Sequence, residues 1–148
     1  MKNALTKKDW VLLALDAAAL DRLRVMKALF LVWLHYNRNI HDYFEFVPYL
    51  YGPCSFEVYS ILSDLQRDKL AVQAPESPLA WAPYYLTQRG KEEATEAKKR
   101  AKPDEQEAIR KWAQFAESTD FHNLLRHVYT QAPDFAVNSL VRNIVSAH

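Results

Sequence analysis

Pro48-Tyr49-Leu50-Tyr51-Gly52-Pro53-Cys54-Ser55-Phe56-Glu57-Val58-Tyr59 is the stretch on which the reading of this fold depends. It begins β-prone and aromatic, from Phe44 to Tyr51, and Pro48 confines that segment to an edge strand or an extended chain. Gly52-Pro53 is expected to stop the strand. Ser55 then stands where an N-cap belongs, and Glu57 falls in a first turn where a negative charge suits the helix dipole. Val58, Ile61, Leu62 and Leu65 recur at three-to-four spacing, so a helix is predicted over 56–69 with these residues inward.

Working outward, Thr6 followed by Asp9 reads as a variant capping box opening a helix that runs to about Ala19. Asp21 caps a second helix over 22–37, whose middle, Val25 to Leu34, is apolar almost all round apart from Lys27, the pattern of a central helix covered on several sides. Downstream, Ala71 to Ala74 and Pro83 to Leu86 read as two short strands around a loop from Pro75 to Pro83, a wing. Thr87 caps a charged helix, Pro103 suits the first turn of another, and Asp120 caps a third that ends at Pro133. Phe135 to Ile144 adds a last short amphipathic piece. Helix, helix, strand-flanked helix, wing, helix predicts a mainly helical α+β chain. Its winged-helix-like core occupies residues 1–102. A helical extension, 103–148, packs on that core or on a second subunit. The boundary lies in the charged run 88–107.

An apolar fraction of 49% supports a real core, and a single cysteine, Cys54, excludes a disulfide framework and fits a reducing compartment. The start, Met1 to Asp9, lacks the apolar core and small-residue cleavage site of a leader, and the apolar run at Val25–Leu34 is half of what a bilayer needs. A cytoplasmic protein without membrane contact is the expectation. No catalytic constellation can be assembled. Ser55 reads as a cap rather than a nucleophile, and Cys54 precedes a helix N-terminus without a histidine that the sequence can place beside it. His122 and His127 are five apart and fall on different helix faces, so no metal site and no cofactor are expected.

Charge then separates two binding readings. The net charge is +1, low for a dedicated nucleic-acid binder. In a helix-turn-helix protein the second helix enters the major groove, but the outward positions of 56–69 are Glu57, Ser60, Asp64, Arg67 and Asp68, an acidic face that phosphates would repel. Protein recognition is therefore the first expectation, on a surface formed by Tyr49, Tyr51, Gly52, Pro53, Glu57, Asp64 and the wing-loop residue Trp81. Of the aromatic cluster Tyr43, Phe44, Phe46, Tyr49, Tyr51, Phe56 and Tyr59, most are expected inside, with Tyr49 and Tyr51 partly exposed beside the turn. The alternative is a DNA-binding regulator that uses the wing and the basic residues Arg89, Lys91, Lys98, Lys99 and Arg100. Its opposing expectation is a solvated face with an i,i+4 pair between Glu96 and Arg100. An edge strand and an aromatic surface would also suit a homodimer.

The ordered set Met26-Lys27-Ala28-Leu29-Phe30-Leu31, Tyr51-Gly52-Pro53-x-Ser55 and Tyr85-Leu86-Thr87-x-x-Gly90 resembles small prokaryotic proteins of the YwgA-like type. It is similar, more distantly, to the Panacea (SocA-like) antitoxin and adaptor domain. The resemblance covers roughly residues 20–95 and the region from Tyr129 to Ser139. It implies a winged-helix-like fold and a role in regulation or in toxin–antitoxin and defence systems, with Tyr51, Gly52, Pro53 and Ser55 as the signature turn and no catalytic residue carried over.

Overall fold

Four side-chain caps set the helices where the sequence places them. In the computed structural model, which describes residues 4–73 and 82–139, α1 (Lys7–Ala17) opens on Thr6, whose hydroxyl accepts from the Asp9 N–H while the Asp9 carboxylate accepts from the Thr6 N–H. α2 (Arg22–His35) opens on Asp21, which accepts from Leu23 and Arg24 N–H. After the hairpin β1 (Val47–Tyr49) and β2 (Gly52–Cys54) comes α3 (Phe56–Arg67), then β3 (Ala71–Gln73) and β4 (Tyr84–Leu86). α4 (Gln88–Arg100) is capped by Thr87, α5 (Pro103–Ser118) starts on proline, and α6 (Phe121–Gln131) is capped by Asp120 before a 3₁₀ turn, Pro133–Ala136.

The chain is mainly helical, with two antiparallel hairpins. β3 and β4 form the wing, Ala71 opposite Leu86, and a single bridge from Leu20 to Tyr84 adds a third position to it. Helix, bridge residue, helix, helix, strand, strand is winged-helix order. The departure from that scheme is the insertion of the β1–β2 hairpin between α2 and α3. Gly52-Pro53 does not stop a strand as the sequence suggests. The chain reverses at Leu50-Tyr51, and Gly52-Pro53-Cys54 is itself the returning strand, with Pro48 opposite Pro53. Two prolines can face each other because neither has an N–H to donate, so they occupy a non-hydrogen-bonded pair while Val47–Cys54 and Tyr49–Gly52 carry the ladder. Gly52 is held at φ +93°, and a Cβ there would stand 3.3 Å from Tyr129 Cε1 and 3.4 Å from both Leu125 Cδ2 and Lys27 Cε. The turn therefore requires glycine twice over, for its backbone and for its close approach to α6 and α2.

α2 is the centre of the core, as its pattern predicts. Val25, Met26 and every residue from Ala28 to Val32 are buried. α5 lies along α2 and α1 through small residues, Ala108, Ala113 and Ala116, that permit close approach, while α6 covers α2 and β2 with Leu124, Leu125 and Val128. Phe44 and Phe46, expected in a strand, are loop residues turned into the core. Phe30 meets Phe46 at 5.1 Å and Phe135 at 4.8 Å, edge to face, and Trp10 meets Tyr43 at 5.4 Å. The buried Tyr43 hydroxyl donates to the Leu29 carbonyl at 2.6 Å.

One ion pair ties the N-terminal helix to α4. Asp9 is buried and takes both guanidinium nitrogens of Arg100, one at 2.9 Å, while holding the Thr6 cap. Burial alone would raise the Asp9 carboxyl, but the Arg100 and Thr6 hydrogen bonds outweigh it and hold the carboxyl below its ordinary value. Because the folded value is the lower one, the stabilisation is present above the unfolded value of 3.8 and is lost as pH falls through the folded value. Asp9→Asn keeps the size and removes the charge, so it is expected to destabilise by about 2 kcal/mol at pH 7, the difference shrinking below pH 4. Urea unfolding of both chains at pH 7 and pH 3.5 checks it.

Candidate functional site

The hairpin and the start of α3 bring large side chains to the surface in one place. Tyr49 is 44% exposed, Tyr51 40% and Phe56 59%, with Val47 and Leu50 exposed beside them. β2 is buried along its whole length while β1 and the turn at Leu50-Tyr51 lie outside it, and Phe56, at the first position of α3, precedes the first inward residue, Val58. The rings touch rather than splay: Tyr49 meets Phe56 at 5.6 Å, Phe56 meets Tyr59 at 6.4 Å, and Tyr51 meets Phe121 at 6.2 Å.

Tyr49, Tyr51, Phe56 and Tyr59 frame a cleft of about 440 Å³ whose lining also includes the polar groups of Lys27 and Arg22. Lys27 reaches it from α2 and Cys54 from β2, while Arg22 stands at its side with its guanidinium 5.7 Å from the Tyr59 ring centre. Lys27 is 2% exposed, and its Nζ donates to the Pro53 carbonyl only at 3.5 Å. Burial without a paired carboxylate pulls its ammonium down from 10.5 to about 8, against weaker opposing influences from Cys54 and Asp21. Burial also pushes the Cys54 thiol up, opposed by Lys27 and by a hydrogen bond to Tyr59, whose own hydroxyl is raised to about 12. The thiol is thus held protonated and inside, the opposite of an activated nucleophile at a helix N-terminus. Neither His35 nor His41 lines the cleft; Lys27 and Tyr59 are the groups beside Cys54.

Ser55 occupies the N-cap position of α3, but its hydroxyl makes no cap hydrogen bond. The four caps whose side chains accept have ψ between 156° and 175°; Ser55 sits at ψ 120°, and its N–H donates to Met26 Sδ at 3.1 Å. Ser55 is a buried packing residue of the hairpin.

The remaining expected site residues lie apart. Glu57 pairs with Lys7 at 2.8 Å, and Asp64 pairs with Arg67 at 3.1 Å further along α3. Trp81 lies outside the described residues. On α4, Lys98 reaches Asp16 at 2.6 Å and Lys99 reaches Glu96 at 2.9 Å, while Arg100 goes to Asp9 rather than to Glu96. Arg89 donates to the Asp68 carbonyl at 3.2 Å, and Lys91 stands exposed near the wing. The basic run is thus largely engaged within the molecule.

Arg22, Lys27, Cys54, Phe56 and Tyr59 line the cleft but stand outside the expected binding surface: Phe56 and Tyr59 belong to the aromatic cluster read as mostly inside, and Cys54 reads as an incidental thiol. The one signal for them is Lys27 itself, a charge in a helix otherwise apolar all round. Among the described residues no three His, Cys, Asp or Glu side chains converge on a common point, and no helix is long and apolar enough to cross a membrane. Comparison of the chain with protein-family models, with curated proteins and with solved structures finds no match.

Proposed function

We propose that this chain is a non-enzymatic regulatory protein that works by binding another protein, in the manner of an antitoxin or adaptor, through the β1–β2 hairpin and the first turn of α3. The observation that carries the reading is a cleft lined by three exposed rings, Tyr49 and Phe56 in contact with each other and Tyr51 beside them on the hairpin. Contiguous exposed aromatic surface is costly to leave in water, and Tyr and Phe flanked by a desolvatable pocket are the usual anchors of protein interfaces. The resemblance of the Tyr51-Gly52-Pro53 turn to the SocA-like adaptor domain supports the same reading. The acidic outer positions of α3, and the engagement of Lys98, Lys99 and Arg100 with acids of the same chain, favour protein over DNA as the main contact.

Tagged chain recovered from its own lysate, with and without nuclease, tests this. A stoichiometric protein partner that survives nuclease is expected, with its capture falling more than about tenfold in Phe56→Ser, a change at an exposed position that the fold tolerates. Lys91→Glu combined with Lys99→Glu is expected to leave capture unchanged. DNA recovered in place of a partner, and lost with those two charge reversals, would replace the reading by that of a DNA-binding regulator.

A further inference from the structure

We infer that the cleft under the hairpin accepts an acidic side chain of the partner protein, an Asp or Glu set between apolar residues, with its carboxylate seated on Lys27 and Arg22. This deepens the proposed function and rests on it. Three observations converge. Lys27 is buried to 2% and, among the described residues, no carboxylate pairs with it; its one hydrogen bond, 3.5 Å to the Pro53 carbonyl, is at the limit of the interaction and leaves its other N–H groups unused. The residues lining the cleft include two cations, Arg22 and Lys27, and no acid. The walls are Tyr49, Tyr51, Phe56 and Tyr59, apolar faces that would exclude water from an ion pair formed between them.

The neighbouring acids are already committed. Asp21 accepts from the Leu23 and Arg24 N–H groups and from the Arg24 guanidinium at 2.7 Å, and Glu57 is held by Lys7 at 2.8 Å. A lone ammonium beneath an open aromatic mouth therefore has its complement missing from the chain, and an incoming carboxylate supplies it. Glutamate reaches deeper than aspartate and suits a floor set behind the rings. Glutamine fills the same space but brings no charge, so the pair Glu and Gln isolates the electrostatic part.

Binding to the ammonium form gives a pH signature. Facing Lys27 are Arg22 and Asp21 at the start of α2, Cys54 on β2, Tyr59 on α3, Tyr49 and Tyr51 on the hairpin, and Tyr129 of α6 across Gly52. Burial pushes the acidic protons of Cys54, Tyr59 and Tyr129 upward, away from neutral pH, whereas that of Lys27 is pulled down to about 8. Of these four groups Lys27 is accordingly the one whose charge falls between pH 6.5 and pH 9.

The probes are acetyl-Leu-Glu-Phe-amide and acetyl-Leu-Gln-Phe-amide, titrated into the full chain by calorimetry. At pH 6.5 the Glu peptide is expected to bind about tenfold tighter than the Gln peptide, a ratio that falls to about twofold or less at pH 9 and to the same small preference, left by Arg22, in Lys27→Met at both values. The wild-type pH profile stands without the variant. Equal binding of the two peptides at pH 6.5, or no binding of either at millimolar concentration, overturns the acidic anchor. A lysate partner held as tightly by Lys27→Met as by the wild type, yet lost in Phe56→Ser, overturns the anchor while leaving the protein-binding function in place. Retention by both variants overturns the two together.

Discussion

Lys27→Met is expected to make the free protein more stable, by about 3 kcal/mol at pH 7. The magnitude follows from the fall in the ammonium's pKa from 10.5 to about 8, at about 1.4 kcal/mol per pH unit. The sign follows from which state holds the proton. Below pH 8 both folded and unfolded chains carry the ammonium, and the folded one bears the full cost of burying it. Between about 8 and 10.5 the folded chain has released the proton and the unfolded chain has not, so the penalty fades as pH rises and is gone above 10.5. Methionine matches the length and volume of the lysine stem and has no charge to desolvate, while the hydrogen bond it gives up is the long one to Pro53. The buried tyrosines complicate a pH scan of the wild type alone. Burial raises Tyr43 and Tyr59, so the unfolded chain loses their protons first and stability from them declines at high pH. The difference between wild type and Lys27→Met removes that common decline. Urea unfolding of both at pH 7 and pH 10.5 is the measurement. A variant that is less stable at pH 7, or a gain that persists at pH 10.5, would show that the ammonium is compensated in the folded chain and that the cleft lacks the unmet charge assigned to it.

A stability cost of this size, once measured, calls for a role for Lys27 outside the fold, and the cleft provides one. The same calculation connects the two states. If a partner carboxylate pairs with Lys27, the penalty measured in the free chain is returned in the complex, and Lys27→Met gains stability as it loses affinity. That opposition distinguishes a binding lysine from a packing lysine, for which the variant would change stability and leave recognition alone.

The parts of this molecule that were legible in its sequence are the parts decided by neighbours in the chain. Thr6, Asp21, Thr87 and Asp120 each cap a helix with a side chain that bonds to an N–H two or three residues on, so their reading needs no tertiary knowledge. The three-to-four spacing of Val58, Leu62 and Leu65 fixes the inward face of α3 for the same reason. What was hidden depends on distant partners. Arg100 looks like the i+4 partner of Glu96, but a buried carboxylate 91 positions away outbids an exposed one a turn away. Ser55 has the residue type of a cap and lacks the bond: at ψ 120° it makes no side-chain cap, and its N–H is bonded to Met26 of α2, 29 positions away. The candidate site shows the same division. The exposure of Tyr49 and Tyr51 follows from their place at the tip of the hairpin, whereas the burial of Lys27 depends on the Pro53 carbonyl 26 positions later and on the hairpin that carries it. Gly-Pro reads as a stop in isolation, and only the pairing of Pro48 with Pro53 turns it into the second strand that covers the lysine.

Gly90→Ala is expected to reverse the usual effect of that substitution and destabilise by about 3 kcal/mol. In an exposed helix, alanine in place of glycine adds about 1 kcal/mol of stability, since it restricts the unfolded chain and favours helix. Gly90 lies in the first turn of α4 at an ordinary helical conformation, so the backbone itself offers no objection. The obstacle is contact. A Cβ at this position would stand 2.0 Å from the Leu70 carbonyl oxygen and 3.2 Å from Leu86 Cβ. The oxygen cannot turn away, because it accepts from the Thr87 N–H at 2.9 Å, and the Thr87 hydroxyl donates to the Lys69 carbonyl at 2.7 Å while accepting from Gly90 itself. The cap of α4 and the end of α3 are thus knotted through the two backbones that an extra methyl would force apart, and relief requires α4 to withdraw from the wing or the cap to break. Either route costs more than the helix propensity returns. A melting temperature roughly 10 °C below that of the wild type is expected for a chain of this size. An unchanged or higher value would mean that α4 and Leu70 are separable, and that the wing is less firmly seated on the helices than its glycine implies. Because the hairpin cleft is built on α2, α3 and α6, partner capture by the folded fraction of Gly90→Ala should match the wild type, which separates a loss of stability from a loss of the surface.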